Sequence, residues 1–306
     1  MKSQLVVSRR CPVCDSARFT KLRFCKNPAD PFWRKCKNCK SIYAKDIPDS
    51  RTISEHYESY YDGINSEIPE FVRSNLDKRM ESLKGYRTEL NNILDIGFGA
   101  GIFLEVAQDQ GWNCFGTEYS PDSIRIATSK GWTVHKGDLH EGDLSGPFDV
   151  VAAIEVLEHV SSPATIVKLA KQRLRKHGAF YGTTPNSQSL NVKVLGENWS
   201  VLCFPEHQVL LNKKSMKLVF KLENFETKML RSTGFNPIDI FNSIRTINRK
   251  NSSSKLFKIN RVNGGYAINS VFESRRFLSY FKKTINQFLT ILGIGDSLNF
   301  LAEKNN

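Results

Sequence analysis

A glycine-rich segment between an apolar run and a helical stretch constrains this 306-residue chain more than any other feature. Residues 92–96 read as a buried strand, and Gly97, Gly99 and Gly101 follow before a helical stretch begins at Ile102. Glycine permits the tight turn and the close backbone approach that such a strand-to-helix connection requires. Because short apolar runs keep alternating with helical stretches from residue 91 onward, the sequence predicts an α/β fold with a doubly wound parallel sheet.

Five strands of this sheet can be placed from their apolar residues and the turns that follow them. They are predicted at residues 92–96, 112–117, 133–136, 148–154 and 179–184. A helix is predicted to start at Ser120, a good N-cap, with Pro121 in its first turn. Another helix is predicted upstream of the sheet, over about residues 68–87.

The turn after the first strand carries details that bear on its ligand. Its spacing is G-x-G-x-G, and Ile102 stands where a dinucleotide-binding motif has a third glycine or alanine. With Asp95 two residues before the first glycine, this favours S-adenosylmethionine, whose cationic methionine end tolerates a carboxylate. Glu118, at the end of the second strand, can accept hydrogen bonds from two ribose hydroxyls. Asp138 can accept from the adenine amino group, and Leu139 can pack on the ring.

Seven cysteines occur, and four of them form two Cys-x-x-Cys pairs separated by 21 residues. The pairs are Cys11 with Cys14 and Cys36 with Cys39. Two such turns can supply the tetrahedral Cys₄ set that Zn²⁺ prefers, which predicts a structural zinc ribbon. A disulfide or a thioredoxin-like redox site is the competing interpretation. Cys25, Cys114 and Cys203 are predicted to be buried apolar residues.

The net charge of +13 is concentrated in two segments. Residues 1–45 carry +10 and residues 245–283 carry +9, so the remainder is acidic. Basic segments of this kind meet nucleic acid, an anionic membrane surface or a phosphorylated substrate, or they are solvated faces. Because no run of 18 apolar residues occurs and the apolar stretch at the N-terminus is short, we expect a cytoplasmic protein.

Composition and pattern together suggest four parts. A zinc ribbon occupies residues 1–45, a connector and helix 46–87, the sheet domain 88–244 with 295–306, and a basic, partly helical insertion 245–294. Apolar residues recur at helical spacing over residues 272–292, with basic residues on the other side. Such a helix can pack on its own domain, on a second copy in a homodimer, or on an anionic membrane surface.

These motifs, in this order, resemble the class I S-adenosylmethionine-dependent methyltransferases. The resemblance covers about residues 88–245 and implies a Rossmann-like, seven-stranded sheet whose last strand, near residues 295–304, returns antiparallel. It also implies the cofactor contacts: the backbone at Gly97, Gly99 and Gly101, then the side chains of Glu118, Asp138, Leu139 and Ile154.

Two further segments resemble narrower groups. Residues 204–210 are similar to the Pro-Glu-His segment of bacterial methyltransferases that carry an N-terminal zinc ribbon and modify sugars, polysaccharides or lipid intermediates. Residues 155–160 resemble ubiquinone-pathway O-methyltransferases, in which two acids and a histidine are proposed to hold a divalent metal. Glu155, Glu158 and His159 occupy those positions here.

Methyl transfer to a hydroxyl usually needs a general base, and His207 and His159 are the candidates at the strand edge. The expected activity is O-methylation, with C-methylation as an alternative, of a small molecule, sugar or lipid-linked saccharide. The competing functions are a ubiquinone-type phenol O-methyltransferase and an RNA-modifying enzyme that grips phosphates with its basic ribbon. Nucleic acid is disfavoured because Glu-Val-Leu-Glu replaces the proline-rich loop that amino-directed nucleic-acid methylation typically uses.

Overall fold

The structure, a computed structural model, describes residues 9–23, 25, 29–49, 70–140, 144–234 and 286–305. Within these residues the strands are β1 (Phe19–Lys21), β2 (Trp33–Cys36), β3 (Ile42–Ala44), β4 (Asn92–Ile96), β5 (Asn113–Glu118), β6 (Thr133–Lys136), β7 (Phe148–Ile154), β8 (Leu174–Pro185), β9 (Val209–Leu210), β10 (Phe225–Thr233) and β11 (Ser297–Lys304). The α-helices that the structure bounds are α1 (Glu70–Leu83), α2 (Ile102–Asp109), α3 (Pro121–Ser129), α4 (Pro163–Arg173), α5 (Leu190–Leu195) and α6 (Lys213–Leu222).

Seven strands form one large sheet in the order β10-β11-β8-β7-β4-β5-β6. The five strands from β8 to β6 are parallel, and β11 enters antiparallel between β8 and β10. The α/β prediction, the seven strands and the antiparallel return of the tail are therefore confirmed. Since the carboxyl ends of the parallel strands share one edge, the loops after β4, β5, β6, β7 and β8 meet there.

Alternation along the strands divides the core between the two faces of this sheet. Leu94 and Ile96 of β4 pack in the cluster that contains α4 and α6 residues, whereas Ile93 packs with residues of α1 and α2. Side chains of successive strand residues point to opposite faces, so a run that is apolar throughout indicates a strand covered on both sides. That is why these strands could be placed from the sequence.

The predicted elements agree closely with the observed ones where local chemistry fixes their ends. β4, β6 and β7 occupy the predicted residues, and Ser120 caps α3 by accepting a hydrogen bond from the Ser123 amide (3.4 Å). β8 begins at Leu174, five residues before the predicted start at Ala179, because Leu174 already pairs with Phe148 of β7 ahead of an irregularity in the register.

The second sheet is small and antiparallel, in the order β1-β2-β3-β9. Its first three strands belong to the cysteine-rich segment, but β9 lies more than 160 residues later in the chain, within the large domain, with Ile42 opposite Leu210. Further bonds join the two parts: the Asn212 amide donates to the Cys39 carbonyl (3.1 Å), and Lys214 Nζ donates to the Asn38 carbonyl (2.7 Å). The cysteine-rich module is thus built into the domain through a shared sheet.

Most of the basic insertion, including the first two thirds of the predicted amphipathic helix, lies outside the described residues. At its described end, residues 286–292 are helical, with Leu289 buried and Phe288 and Ile291 exposed. Over the part of the chain that the structure describes, no helix combines the length and the hydropathy needed to cross a membrane.

Candidate functional site

The turn between β4 and α2 needs its glycines for conformational and steric reasons. Gly97, Gly99 and Gly101 have φ angles of 63°, 57° and 75°, in the left-handed region that disfavours side chains. A Cβ on Gly97 would lie 3.1 Å from a Val156 methyl group, and one on Gly101 would lie 2.7 Å from the Trp132 ring. The turn is therefore a backbone cradle at the carboxyl edge of the sheet.

Asp95, on β4, is buried beneath this cradle. Desolvation, with a smaller contribution from the charge of Glu118, raises the pKa of Asp95 to about 8. Its Oδ1 is buried and has no hydrogen-bond partner within the described chain. A buried carboxyl without a partner is costly, and a cationic ligand group would relieve that cost. This orphaned oxygen fits the methionine ammonium of the expected cofactor.

Glu118 ends β5 beside the same turn and is nearly buried. Its Oε2 accepts from the Gly99 amide (2.8 Å), while its Oε1 accepts from the amides of Tyr119 (2.7 Å) and Ser120 (3.2 Å). A carboxylate has about four acceptor sites, so these bonds orient it and leave capacity for a hydroxyl donor. Glu118 therefore fixes the glycine turn as well as lying where a ribose is predicted.

The structure adds Tyr119 to this side of the site, a residue that the sequence prediction missed. Burial, followed by the hydrogen bond that its hydroxyl donates to Asp138, raises the pKa of Tyr119. Asp138 is exposed and shares its carboxylate with this phenol, whereas Leu139 is buried in the core. Ile154, half-buried, ends β7. An aromatic residue directly after a strand-end acid was the signal that could have identified Tyr119.

The loop after β7 places its two acids in opposite environments. Glu155 is exposed with a positive φ of 53°, whereas Glu158 is buried and accepts a hydrogen bond from the Thr184 hydroxyl (2.9 Å). Burial, reinforced by the negative charge of Glu155, raises the pKa of Glu158 well above its ordinary value. Glu158 thus links the ends of β7 and β8.

His159 and His207, the two predicted bases, meet at this edge. Their rings pack edge to face with centroids 4.7 Å apart. His159 Nδ1 lies 2.9 Å from the Glu206 carbonyl and His207 Nδ1 lies 2.6 Å from the Val201 carbonyl. Because a carbonyl only accepts, both rings carry hydrogen on Nδ1, and when neutral they hold a lone pair on Nε2. An imidazole oriented in this way can accept a proton or bind a cation.

The grouping of possible metal ligands differs from the one that the Glu-x-x-Glu-His segment implies. Ligand atoms of Glu158, His159 and His207 lie within 4.8 Å of one another, a set that takes His207 in place of Glu155. His207 also lies within the same limit of Cys203 and Glu206. His159, His207 and the buried Glu158 are therefore the ionisable groups that lie together at the carboxyl edge of the sheet.

The four cysteines of the small module converge as predicted. Cys11 Sγ lies 3.5 Å from Cys39 Sγ, Cys14 Sγ lies 3.6 Å from Cys36 Sγ, and all four sulfurs lie within 4.8 Å of one another. A tetrahedral zinc with Zn–S bonds of about 2.3 Å would place its sulfurs about 3.8 Å apart. All four are free thiols, and the hydrogen bond from Cys11 lowers the pKa of Cys39. The donor set therefore fits zinc.

The remaining cysteines follow the prediction only in part. Cys114 is buried, as expected, but Cys25 and Cys203 are partly exposed, so the prediction was wrong for those two. Cys203 lies near Glu206 and His207 instead of in a core.

Comparison with known proteins agrees with this geometry. Residues 64–228, more than half of the chain, match a family described as a methyltransferase domain. The mitochondrial ubiquinone biosynthesis O-methyltransferase of Saccharomyces cerevisiae is 29% identical over 153 residues, which cover 45% of each chain. That of Hydrogenovibrio crunogenus is 29% identical over 117 residues, which cover 35% of this chain and 48% of the relative. The chain thus spans about half the length of the curated relatives it matches.

A solved structure gives the same picture of the fold. The cyclase SpnF aligns with a TM-score of 0.53 and 15% sequence identity, covering 85% of this chain and 97% of that one. At this identity the similarity concerns the fold alone.

Proposed function

Since the chain belongs to the methyltransferase-domain family and is an S-adenosylmethionine-dependent enzyme, we propose that it methylates a hydroxyl group of a small-molecule acceptor. The observation that carries this proposal is the pair of histidines, His159 and His207, at the same sheet edge as the glycine turn. Both rings keep Nε2 as their basic nitrogen. Methyl transfer to a hydroxyl can use such a base.

The residues of the cofactor half have separate tasks. The turn from Gly97 to Gly101 would bring backbone close to the ligand, and Asp95 would hold the methionine ammonium. Glu118, held by three backbone amides, would accept a hydrogen bond from a ribose hydroxyl, and Asp138 with Leu139 and Ile154 would border the adenine. Bound S-adenosylmethionine supplies a methyl group on a sulfonium, which departs as a neutral thioether when a nucleophile attacks in line. Fixing donor and acceptor in line supplies much of the rate.

The histidines act on the acceptor's proton. As the hydroxyl oxygen bonds to the methyl carbon, the hydroxyl proton passes to an imidazole Nε2, which becomes charged. Glu158, buried beside His159 with its Oε1 3.8 Å from Nε2, places a carboxyl oxygen next to that cation. General-base assistance of this kind is worth on the order of a hundredfold or more in rate.

We propose a saccharide, free or lipid-linked, as the acceptor. Residues 204–210 resemble a segment of methyltransferases that modify sugars, polysaccharides or lipid intermediates. The cysteine-rich module joins this segment through β9, beside His207, so we expect the module to contribute to acceptor binding at the part of the sheet edge that holds the histidine pair, here called the acceptor edge. A phenol is the second candidate, because the curated relatives are ubiquinone biosynthesis O-methyltransferases.

A labelled-cofactor assay with two acceptor panels, nucleotide sugars and catechols, tests the proposal. We expect turnover in the nucleotide-sugar panel, and a loss of at least about a hundredfold in kcat for His207→Gln or His159→Gln with unchanged cofactor affinity. His177→Gln is the control, because His177 is exposed near the start of β8 and pairs with Glu303. Methylation of catechols alone would replace the saccharide proposal, and full activity in both histidine variants would exclude the base.

We also propose that Cys11, Cys14, Cys36 and Cys39 hold one structural Zn²⁺. A closed Cys₄ set leaves no open coordination position, so the ion would stabilise the module and take no part in methyl transfer. Metal analysis of purified protein should give one zinc per chain, and Cys36→Ser should lower that content and the thermal midpoint. A zinc-free, fully stable protein would contradict this assignment.

A further inference from the structure

Gln208, just before β9, makes three connections that the methyl-transfer chemistry does not explain. It is 1% exposed; its backbone amide donates to the Glu158 carbonyl (2.7 Å), and its side-chain Nε2 donates to the His159 carbonyl (2.6 Å). Its own carbonyl accepts from the Ala44 amide of β3 (2.9 Å). One buried residue therefore touches both the loop that carries the histidine and the small sheet.

The segment around Gln208 contacts both the ring and the backbone of His159. The Glu206 carbonyl accepts from the His159 ring, and the Gln208 side chain binds the carbonyl of the same histidine. His207, between them, packs its ring on His159. A displacement of residues 206–208 would thus change two hydrogen bonds together: the one from the His159 ring, which fixes its tautomer, and the one to the His159 backbone carbonyl.

The other end of this connection is the cysteine cluster. The Ser41 carbonyl accepts a hydrogen bond from the Cys36 amide (2.9 Å), and the Ser41 hydroxyl lies 3.3 Å from Cys39 Sγ. β3 begins at the next residue, so the cluster fixes the strand that holds Gln208. Arg9 makes a second connection between β3 and the loop after β7, because its guanidinium donates to the Ala44 carbonyl (3.3 Å) and to the Ser161 carbonyl (2.5 Å).

We infer that Gln208 is a positioning residue: it connects the Cys₄ module to His159, and this connection holds the His159 ring in the orientation in which Nε2 can accept a proton. This inference rests on the proposed function of the pair. Buried hydrogen-bond networks of this kind specify one arrangement because every broken bond strands a buried polar group. The small module would then serve the acceptor edge, while the cofactor half, on the β4 to β6 side, would be independent of it.

Nitrogen-15 NMR of histidine-labelled protein tests this inference without an acceptor. Wild-type His159 should show hydrogen on Nδ1 alone, identified by its disappearance in His159→Gln. Gln208→Met, which keeps the side-chain length but loses the donor, should replace that signal with a mixture of tautomers, and removal of zinc by a chelator should do the same, reversibly. Affinity for S-adenosylmethionine should change less than twofold in both cases, which shows that the domain remains folded.

Gln108→Met is the control for the substitution itself, because the Gln108 amide also donates to a backbone carbonyl, that of Lys130 (3.0 Å), but at an exposed position on the cofactor side. It should leave the His159 signal unchanged. A His159 signal that survives Gln208→Met, or that survives zinc removal, would overturn the inference. If the tautomer responds as expected but both His159→Gln and His207→Gln retain full methyl transfer, the coupling stands and the proposed base is refuted.

Discussion

Cofactor binding should release a proton from Asp95, and the pKa of this residue sets the number of protons released per cofactor bound. At a pKa of about 8 the carboxyl of the free protein is ionised in only about one molecule in eleven at pH 7. An ammonium group bound against Oδ1 favours the ionised form, so about 0.9 proton should leave Asp95 per cofactor bound at pH 7, or about 0.8 net once the ligand's amino group has taken up about 0.1 proton. Ionising the carboxyl beforehand costs about 1.4 kcal/mol at that pH, which is about a tenfold loss of affinity.

The sign of the pH dependence follows directly. Because the binding-competent carboxylate is the minor form below pH 8, affinity should rise about tenfold between pH 6 and pH 7. The α-amino group of the ligand, with an ordinary pKa of about 7.7–8.0, remains mostly protonated over that range and does not mask the effect.

Isothermal calorimetry at pH 7 in phosphate and in Tris buffers measures the proton count from the difference in apparent enthalpy. Asp95→Asn should bind more weakly, with no proton release and no pH dependence, while adenosine, which lacks the ammonium, should bind wild type without proton release. Tight binding of S-adenosylmethionine to wild type with no proton release would refute the reasoning, as would unchanged release in Asp95→Asn.

Two further predictions concern stability. Because the pKa of Asp95 is raised from 3.8 to about 8, the folded protein retains a proton that the unfolded chain releases, so this contribution to stability is present below pH 4 and is lost as pH rises to 8. The unfolding free energy of ligand-free wild type, measured in urea, should therefore fall relative to that of Asp95→Asn by about 1.4 kcal/mol per pH unit over this range; parallel curves would contradict it. Gly101→Ala and Gly131→Ala both place a side chain at positive φ, 75° and 77°, but only the first meets the Trp132 ring. Gly131→Ala should cost about 1–2 kcal/mol and Gly101→Ala about 1–3 kcal/mol more, and equal losses would show that the ring contact carries no strain.

The sequence identified features whose cause is local. The three glycines after β4 are required by backbone conformations that other residues disfavour, and Ser120 with Pro121 defines a helix start by side-chain capping. The cysteine pairs are equally local, since each Cys-x-x-Cys turn brings two sulfurs together. These signals determined the fold class, the cofactor edge and the Cys₄ cluster.

Tertiary structure decided how the acceptor edge is assembled. Nothing in the sequence indicated that β3 pairs with β9, that Gln208 bridges the module to His159, or that His207 joins Glu158 in place of Glu155. These contacts join residues far apart in the chain, and the energy of each depends on burial that exists only after the sheets are packed. The pattern around a residue predicts its own turn or strand, but the partner of a buried hydrogen bond is set by the whole fold.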